Sequence, residues 1–228
     1  MRYTEEQYKA QFEETDPVGW EVIDEALLKV YPEQEPRHYG PILKYMLGGE
    51  DPLDGISIYD NHEQTFHRHI VSYGMSELYY SPESAENEFS GWGFEFTFRI
   101  VPFEEDKDGE GAKNEPSWAM NVMQNLARYV FESKKWFEAY HFIPANGPIR
   151  LECDTKLVGI AFAPDPQLGT IETPNGEVAF LQMVGITQKE LDWLYEDPTT
   201  DRVEELINKM REDNPLLITD LKREKSYV

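Results

Sequence analysis

The stretch Gly91-Trp92-Gly93-Phe94-Glu95-Phe96-Thr97-Phe98-Arg99-Ile100-Val101 constrains the fold more than any other. Residues two apart on a strand share a face, so Trp92, Phe94, Phe96, Phe98 and Ile100 form one apolar row. Gly93, Glu95, Thr97 and Arg99 fall on the opposite face, where Glu95 and Arg99 are expected to form a structural pair. A helix would scatter the rings around its axis. Aromatic residues at period two therefore mark a strand, and a row this apolar needs a covering layer.

The cover is encoded downstream. Pro116-Ser117-Trp118 opens a helix in which Trp118, Val122, Leu126 and Val130 recur every four residues, flanked by Ala119, Met123 and Ala127. Asn121, Gln124, Asn125 and Arg128 lie opposite, which is the pattern of a helix with one buried side. The expectation is that Leu126 and Phe96 share one core.

Elsewhere, Thr4 and Gln7 form a capping box for a helix over residues 4–14. Asp16-Pro17 reads as the N-cap and first turn of a second helix, with Trp20, Ile23, Leu27 and Val30 on one face and Pro32 ending it. Ile42 to Leu47 reads as a buried strand. Gly48 to Gly55 is a dense turn signal in which Asp51 and Asp54 are expected to bond backbone amides. Ile56 to Tyr59 and Thr65 to Tyr73 suggest an antiparallel pair. Residues 136–153 look irregular, and Lys156 to Phe162 reads as a strand buried on both faces. Thr170 to Thr173 and Val178 to Ile186 read as a hairpin turning at Asn175-Gly176. Thr187 and Glu190 cap a helix through Tyr195. Asp197-Pro198 starts a last helix, and Leu216 to Thr219 reads as a short strand. No repeat or linker divides the 228 residues. The expected fold is α+β, a mixed, mostly antiparallel sheet packed by helices, in a single domain over residues 1–228.

Forty-four acidic against 21 basic residues give a net charge of −23. Affinity for a phosphate backbone comes from cationic side chains, so direct nucleic-acid binding is disfavoured and a basic protein partner is favoured. No apolar run approaches the roughly 18 residues of a membrane span. The polar start Met1 to Glu6 is not a signal peptide, so a cytoplasmic location is expected. A lone Cys153 cannot form an intramolecular disulfide. There is no phosphate loop, no G-x-S-x-G elbow and no G-x-G-x-x-G opening a helix. His67-Arg68-His69 places two imidazoles on one strand face, with His62 nearby. This is the only hint of a metal site, and a metal-dependent enzyme using His62, His67 and His69 is the lowest-ranked reading. No cofactor is expected.

Several blocks, in order, resemble the N-terminal domain of the Suppressor of Fused family. They are Trp20 to Pro32, Leu47-Gly48-Gly49-Glu50-Asp51-Pro52-Leu53-Asp54-Gly55-Ile56-Ser57, His69-Ile70-Val71-Ser72-Tyr73-Gly74-Met75-Ser76-Glu77-Leu78-Tyr79, Gly91 to Arg99, Leu126 to Phe131, Thr173-Pro174-Asn175-Gly176 with Phe180 to Ile186, and Leu217-Ile218-Thr219-Asp220. Together they cover roughly residues 19–221. The resemblance implies a non-catalytic binding protein. In the animal member two domains clamp a short partner segment that adds as a β-strand. This chain resembles the first domain alone, so that clamp is not expected to form as such. The family's partner-facing tyrosine corresponds to Tyr79. The acidic residue that follows it in the animal protein has no counterpart, because the loop here reads Ser81-Pro82-Glu83-Ser84-Ala85-Glu86-Asn87-Glu88. Stand-alone members look bacterial and are thought to be immunity proteins against toxins. The expected partner surface is Tyr79 and Tyr80 with the acidic loops Glu83, Glu86, Glu88 and Glu104, Glu105, Asp106. A basic toxin is the first partner expected, and an endogenous protein bound by a regulatory scaffold or chaperone-like binder the second.

Overall fold

A computed structural model describes residues 3–102 and 115–228. In chain order the elements are α1 (Glu5–Gln11), α2 (Val18–Val30), β1 (Arg37–Tyr39), β2 (Gly55–Asn61), β3 (His67–Tyr73), β4 (Phe89–Ile100), α3 (Ser117–Ser133), β5 (Phe142–Pro144), β6 (Leu157–Pro164), β7 (Thr170–Thr173), β8 (Gly176–Thr187), α4 (Gln188–Glu196) and α5 (Thr200–Arg211). The strands form one sheet in the order β1-β2-β3-β4-β8-β6-β5, with β7 also pairing β8. Every pairing is antiparallel except β4 with β8. The fold is therefore α+β with a mixed, mostly antiparallel sheet. No helix among the described residues is long and apolar enough to cross a membrane.

β4 sits in the middle, as its pattern requires. Phe94, Phe96, Phe98 and Ile100 are buried in one core with Ala119, Met123, Ala127 and Val130 of α3. Leu126 packs on the same core as Phe96, as expected. The buried stripe of α3 is the row of Ala119, Met123, Ala127 and Val130, while Trp118, Val122 and Leu126 flank it half-buried. Two alanines let the helix approach the sheet closely, and the larger side chains fill the shoulders, as where Trp118 meets Phe98 edge-on at 5.8 Å. Fully burying each phenylalanine contributes roughly 1.5–3 kcal/mol, so three of them match much of a domain's net stability of about 5–15 kcal/mol.

The second face of β4 is buried too, with Glu95, Thr97 and Arg99 all at 0% exposure. Glu95 and Arg99 do not pair. Four residues along a strand span about 13 Å, and each has its own partners. Glu95 accepts from Ser72 Oγ (2.6 Å), Gly74 N (2.9 Å), Ser76 N (2.9 Å) and Ser76 Oγ (2.6 Å). Arg99 donates to Gln182 Oε1 (3.1 Å) and to Asp165 Oδ1 (3.2 Å). Two further cores cover this side of the sheet and its far end: α2 packs with Tyr59, Val71, Tyr73 and Phe180, and α4 and α5 with Val184 and Ile186.

Other expectations change. Ile42 to Leu47 is not a strand: the chain leaves the sheet at Gly40-Pro41, since proline cannot donate to a ladder, and makes a single 3₁₀ turn over Tyr45–Leu47. Ile42, Leu43, Tyr45, Met46 and Leu47 are exposed. Asp16 does not cap α2; Pro17 is the cap residue, and Asp16 Oδ2 instead accepts from Glu13 N (2.8 Å). The last helix starts later than Asp197-Pro198, capped by Thr199. Asp51 pairs with Arg128, and Asp54 accepts from Tyr79 Oη (2.7 Å), so neither serves the turn's backbone amides. The hairpin loop is Pro174-Asn175, because Gly176 already pairs with Thr173. Residues 136–153 include the short strand β5, and Leu216 to Thr219 contributes one parallel bridge, Thr219 to Ile100, rather than a strand. The capping boxes at Thr4/Gln7 and Thr187/Glu190 are both present.

Candidate functional site

The loops at the start of β4 are positioned by its buried polar face. Glu95 gathers Gly74 and Ser76, and Met75 O then accepts from Trp92 N (2.9 Å). Burial pushes the Glu95 carboxyl above its ordinary value, and the four hydrogen bonds oppose that rise by holding the charged form. Next along the chain, Glu77 N donates to Ser90 Oγ (3.0 Å). Asn175 in the hairpin loop donates through Nδ2 to Glu77 O (2.9 Å) and Tyr79 O (2.9 Å), while its Oδ1 accepts from Tyr8 Oη (2.6 Å). One carboxylate and one amide, far apart in sequence, thus hold residues 74–79 in place.

These loops end at a break in the sheet. β4 and β8 pair at Phe89 with Glu177 and next at Phe94 with Ala179, so residues 90–93 have no partner on β8. Gly91 (φ +55°) and Gly93 (φ +82°) make the bulge possible, because such values favour glycine. A Cβ on Gly91 would also lie 2.8 Å from Met75 O. The splay opens a cleft of about 560 Å³ walled by Phe89, Trp92, Phe94, Trp136, Phe137 and Ala179. Phe89 and Trp136 remain about half exposed, at 51% and 53%. Among the described residues that line it are Glu138 and Glu177 and no lysine or arginine.

Tyr79 lies beside this cleft, in a smaller one of about 280 Å³ that shares Gly91 and Trp92 with it. Its hydroxyl donates to Asp54 Oδ2 (2.7 Å) and accepts from Lys44 Nζ, which fixes the ring. Burial raises the Tyr79 pKa above its ordinary value, opposed by Lys44. Tyr80 turns away and packs on Tyr8, with ring centroids 5.4 Å apart. Glu83, Glu86 and Glu88 are exposed on the connection into β4. Glu88 O accepts from Glu177 N (3.0 Å), which ties that acidic loop to the cleft's edge. Glu104, Glu105 and Asp106 lie outside the described residues.

The histidines do not converge. His62 is exposed, with its ring on Phe66 at 4.9 Å. His67 and His69 are fully buried and already engaged. His67 Nδ1 lies 2.8 Å from Thr65 O and Nε2 lies 3.2 Å from Arg99 Nη1. His69 Nε2 lies 3.0 Å from Asp165 Oδ2 and Nδ1 lies 2.9 Å from Tyr31 Oη. His67 therefore uses one ring nitrogen as donor and one as acceptor, which suits the neutral form. Burial, then the charge of Arg99, pushes His69 down to about 4, and burial with a smaller push from Arg99 takes His67 to about 4. Burial would raise the Asp165 carboxyl, but His69 and Arg99 outweigh it and hold it well below the usual range. Among the described residues no group of three or more His, Cys, Asp or Glu could hold a metal ion.

The sequence pointed to Tyr79 and the acidic loop and did not point to the residues that wall the cleft, Phe89, Trp136, Phe137, Glu138, Glu177 and Ala179. The available signal was Gly91-x-Gly93 at the head of a strand, since glycine inside a strand marks a bulge.

Comparison with known proteins fits this architecture. The family model described as Suppressor of fused protein (SUFU) matches residues 49–224. The Suppressor of fused homolog of Homo sapiens is 35% identical in a match 207 residues long that covers 86% of this chain. The chain spans 41% of that relative's length. A chain of the Sufu–Fu complex crystal structure superposes with a TM-score of 0.81 at 32% identity, covering 92% of this chain and 93% of that one. A SUFU homologue from Neisseria gonorrhoeae FA 1090 has a TM-score of 0.60 at 17% identity, covering 92% of this chain and 97% of that one, and shares the fold. A family match over most of the chain, with a human relative at this identity, shows that the chain belongs to the Suppressor of fused family.

Proposed function

We propose that this chain is a non-catalytic protein-binding domain of the cytoplasm, and that it holds an extended, basic segment of its partner in the cleft between β4 and β8. The observation that carries this is the cleft itself. Its walls are apolar, its lining among the described residues has two glutamates and no cation, and the chain bears a net charge of −23. Adding an extended segment to a sheet is a common recognition mode, and the acidic field speeds the approach of a basic partner. The relative in the Sufu–Fu complex assembles with another protein, which supports a protein partner here. Tyr79, Tyr80, Glu83, Glu86 and Glu88, with Glu104, Glu105 and Asp106, are proposed as the outer part of the same surface. A binding role suits the chain better than catalysis, because His67, His69, Arg99 and Asp165 are sealed from solvent.

For the partner we favour a basic toxin that the chain neutralises as an immunity protein, on the strength of the charge. A regulatory scaffold for an endogenous protein is the second reading, favoured by 35% identity to the human homologue against 17% to the Neisseria one. Selection from a phage-displayed library of random dodecapeptides tests the cleft. Enriched peptides should carry Arg or Lys beside aromatic or aliphatic residues. They should lose about tenfold in affinity, about 1.4 kcal/mol, on Thr170→Trp, which fills the cleft. Enrichment without basic residues, or indifference to Thr170→Trp, refutes the reading. A native partner that is lethal alone and harmless when co-expressed supports the toxin; one that is not lethal supports the scaffold.

A further inference from the structure

The turn between β1 and β2 is inside out. Of the six residues Ile42 to Leu47, five are large and hydrophobic, and all five are exposed, Met46 at 72% and Leu47 at 69%. None of the five belongs to a core of the described residues. The one charged residue, Lys44, turns inward. Its Nζ donates to Tyr79 Oη, lies 3.7 Å from Asp54 Oδ2 and sits 4.6 Å from the centre of the Tyr79 ring. The turn is bonded to itself, with Leu47 N donating to Lys44 O (2.9 Å), Gly48 N to Tyr45 O (2.9 Å) and Gly49 N to Lys44 O (3.0 Å). The backbone therefore holds these side chains out in water, where a contiguous apolar patch marks an interaction site. The patch is continuous with the β4/β8 cleft. Tyr45 and Met46 line the concavity that shares Gly91 and Trp92 with that cleft. Tyr45 meets Phe131 edge-on at 5.1 Å, and Phe131 meets Trp92 at 5.6 Å.

We propose that the segment held in the β4/β8 cleft runs on past Trp92 and Phe131 and seats a pair of large aliphatic side chains on Ile42, Met46 and Leu47. This rests on the binding role proposed above and adds the partner's chemistry at one end. Two ring contacts separate Trp92 from Tyr45, and an extended chain advances about 3.3 Å per residue. The aliphatic pair therefore lies about three or four residues beyond the residue against Trp92. Lys44 is paired with Asp54, so the turn presents no free charge and what it takes is apolar. A second copy of this chain is the competing occupant, and it is disfavoured because two bodies of net charge −23 repel each other. The basic segment proposed for the cleft is drawn in by the same field.

Fluorescence polarisation with the full chain tests this. The probe is the shortest fragment of a selected dodecapeptide that still binds and still responds to Thr170→Trp, labelled and extended by Ser-Ser-Ser-Ile-Leu at its N-terminus or at its C-terminus. Extension at one terminus, and not at the other, should raise affinity about tenfold. An all-serine extension of the same length should add nothing. The gain should vanish on Ile42→Ser/Met46→Ser/Leu47→Ser, while the unextended fragment binds that variant as it binds the parent. Circular dichroism checks the fold of the triple variant; if it is unfolded, Met46→Ser alone should cut the gain. The proposal is overturned if neither extension gains or both do, if the serine extension gains equally, or if the gain survives in the folded variant. It is also overturned if sedimentation finds the parent dimeric and the triple variant monomeric, which assigns the patch to a second copy. Failure of the cleft reading looks different: no dodecapeptide is selected, or the selected ones ignore Thr170→Trp, and both readings then fall.

Discussion

Asp165→Ala should be among the most damaging single substitutions in this chain. The Asp165 carboxylate lies 3.0 Å from His69 Nε2 and accepts from Arg99 Nη2 (3.2 Å), Thr97 Oγ1 (2.9 Å), Gln167 N (2.9 Å) and Leu168 N (3.0 Å). Its removal leaves the Arg99 guanidinium at 0% exposure with Gln182 Oε1 and a neutral imidazole as partners. Breaking a buried ion pair from one side costs about 3–5 kcal/mol. Freeing two turn amides adds about 1 kcal/mol each where water does not reach them. A total of about 5 kcal/mol is a third or more of a typical domain's stability. At this size it lowers Tm by roughly 10–20 °C. Replacing both partners, Arg99→Met with Asp165→Leu, removes the orphan charge, so the double variant should recover most of the loss except the turn bonds. Urea unfolding of the four proteins of this cycle gives the numbers. An Asp165→Ala loss below about 1 kcal/mol, or a double variant no better than the single, would refute the reasoning, because either means Arg99 finds solvent or another counter-charge.

Acid should destabilise the fold earlier than its carboxylates dictate. His67 and His69 are depressed from an ordinary 6.5 to about 4 in the folded chain. Between those values the unfolded chain binds protons that the folded one does not. The stabilisation is therefore complete above pH 6.5 and is lost as pH falls towards 4, on the order of 3 kcal/mol per histidine. The Asp165 contribution lies in a separate window, lost only below its ordinary value of 3.8. Urea midpoints from pH 7.5 to 4.5 should fall for the parent and fall less for a His67→Gln/His69→Gln variant; equal slopes would contradict the assignment. Reversing Glu83, Glu86 and Glu88 to lysine should slow association with a basic partner at low salt, with little change in stability because all three are exposed. An unchanged on-rate in stopped-flow removes that loop from the surface.

Where local pattern and burial agree, the sequence was readable. Phe94 to Ile100 and Ala119 to Val130 each carry a full period, and both capping boxes use partners three residues apart. Ile42 to Leu47 misled because its apolar run suggests burial while Pro41 and Gly48 remove the chain from any neighbouring strand. Glu95 and Arg99 misled in another way. Period two places them on one face but says nothing of the distance between them, and their true partners, Ser72, Ser76, Asp165 and Gln182, come from other strands and loops. The cleft was hidden for the same reason. Phe89, Trp136 and Ala179 meet only through the β4/β8 break, and no local spacing encodes a pairing between residues 89 and 177. The Tyr79 loop was legible through resemblance, whereas the two hydrogen bonds that fix the Tyr79 ring depend on Lys44 and Asp54, on a different connection.

The two buried faces of β4 also act as a register key during folding. Side chains alternate, so a slip of one residue against β3 or β8 exchanges the faces completely. Glu95 and Arg99 would then be driven among Met123, Ala127 and Phe162, with neither Ser76 nor Asp165 in reach. Each stranded charge would cost several kcal/mol, more than the slipped hydrogen-bond ladder could recover. The parallel β4/β8 pairing closes a loop of more than eighty residues, a slow step in which many wrong alignments are sampled. A strand with Phe on one side and Leu on the other could settle in several of them. With a carboxylate and a guanidinium on one side, it has one address.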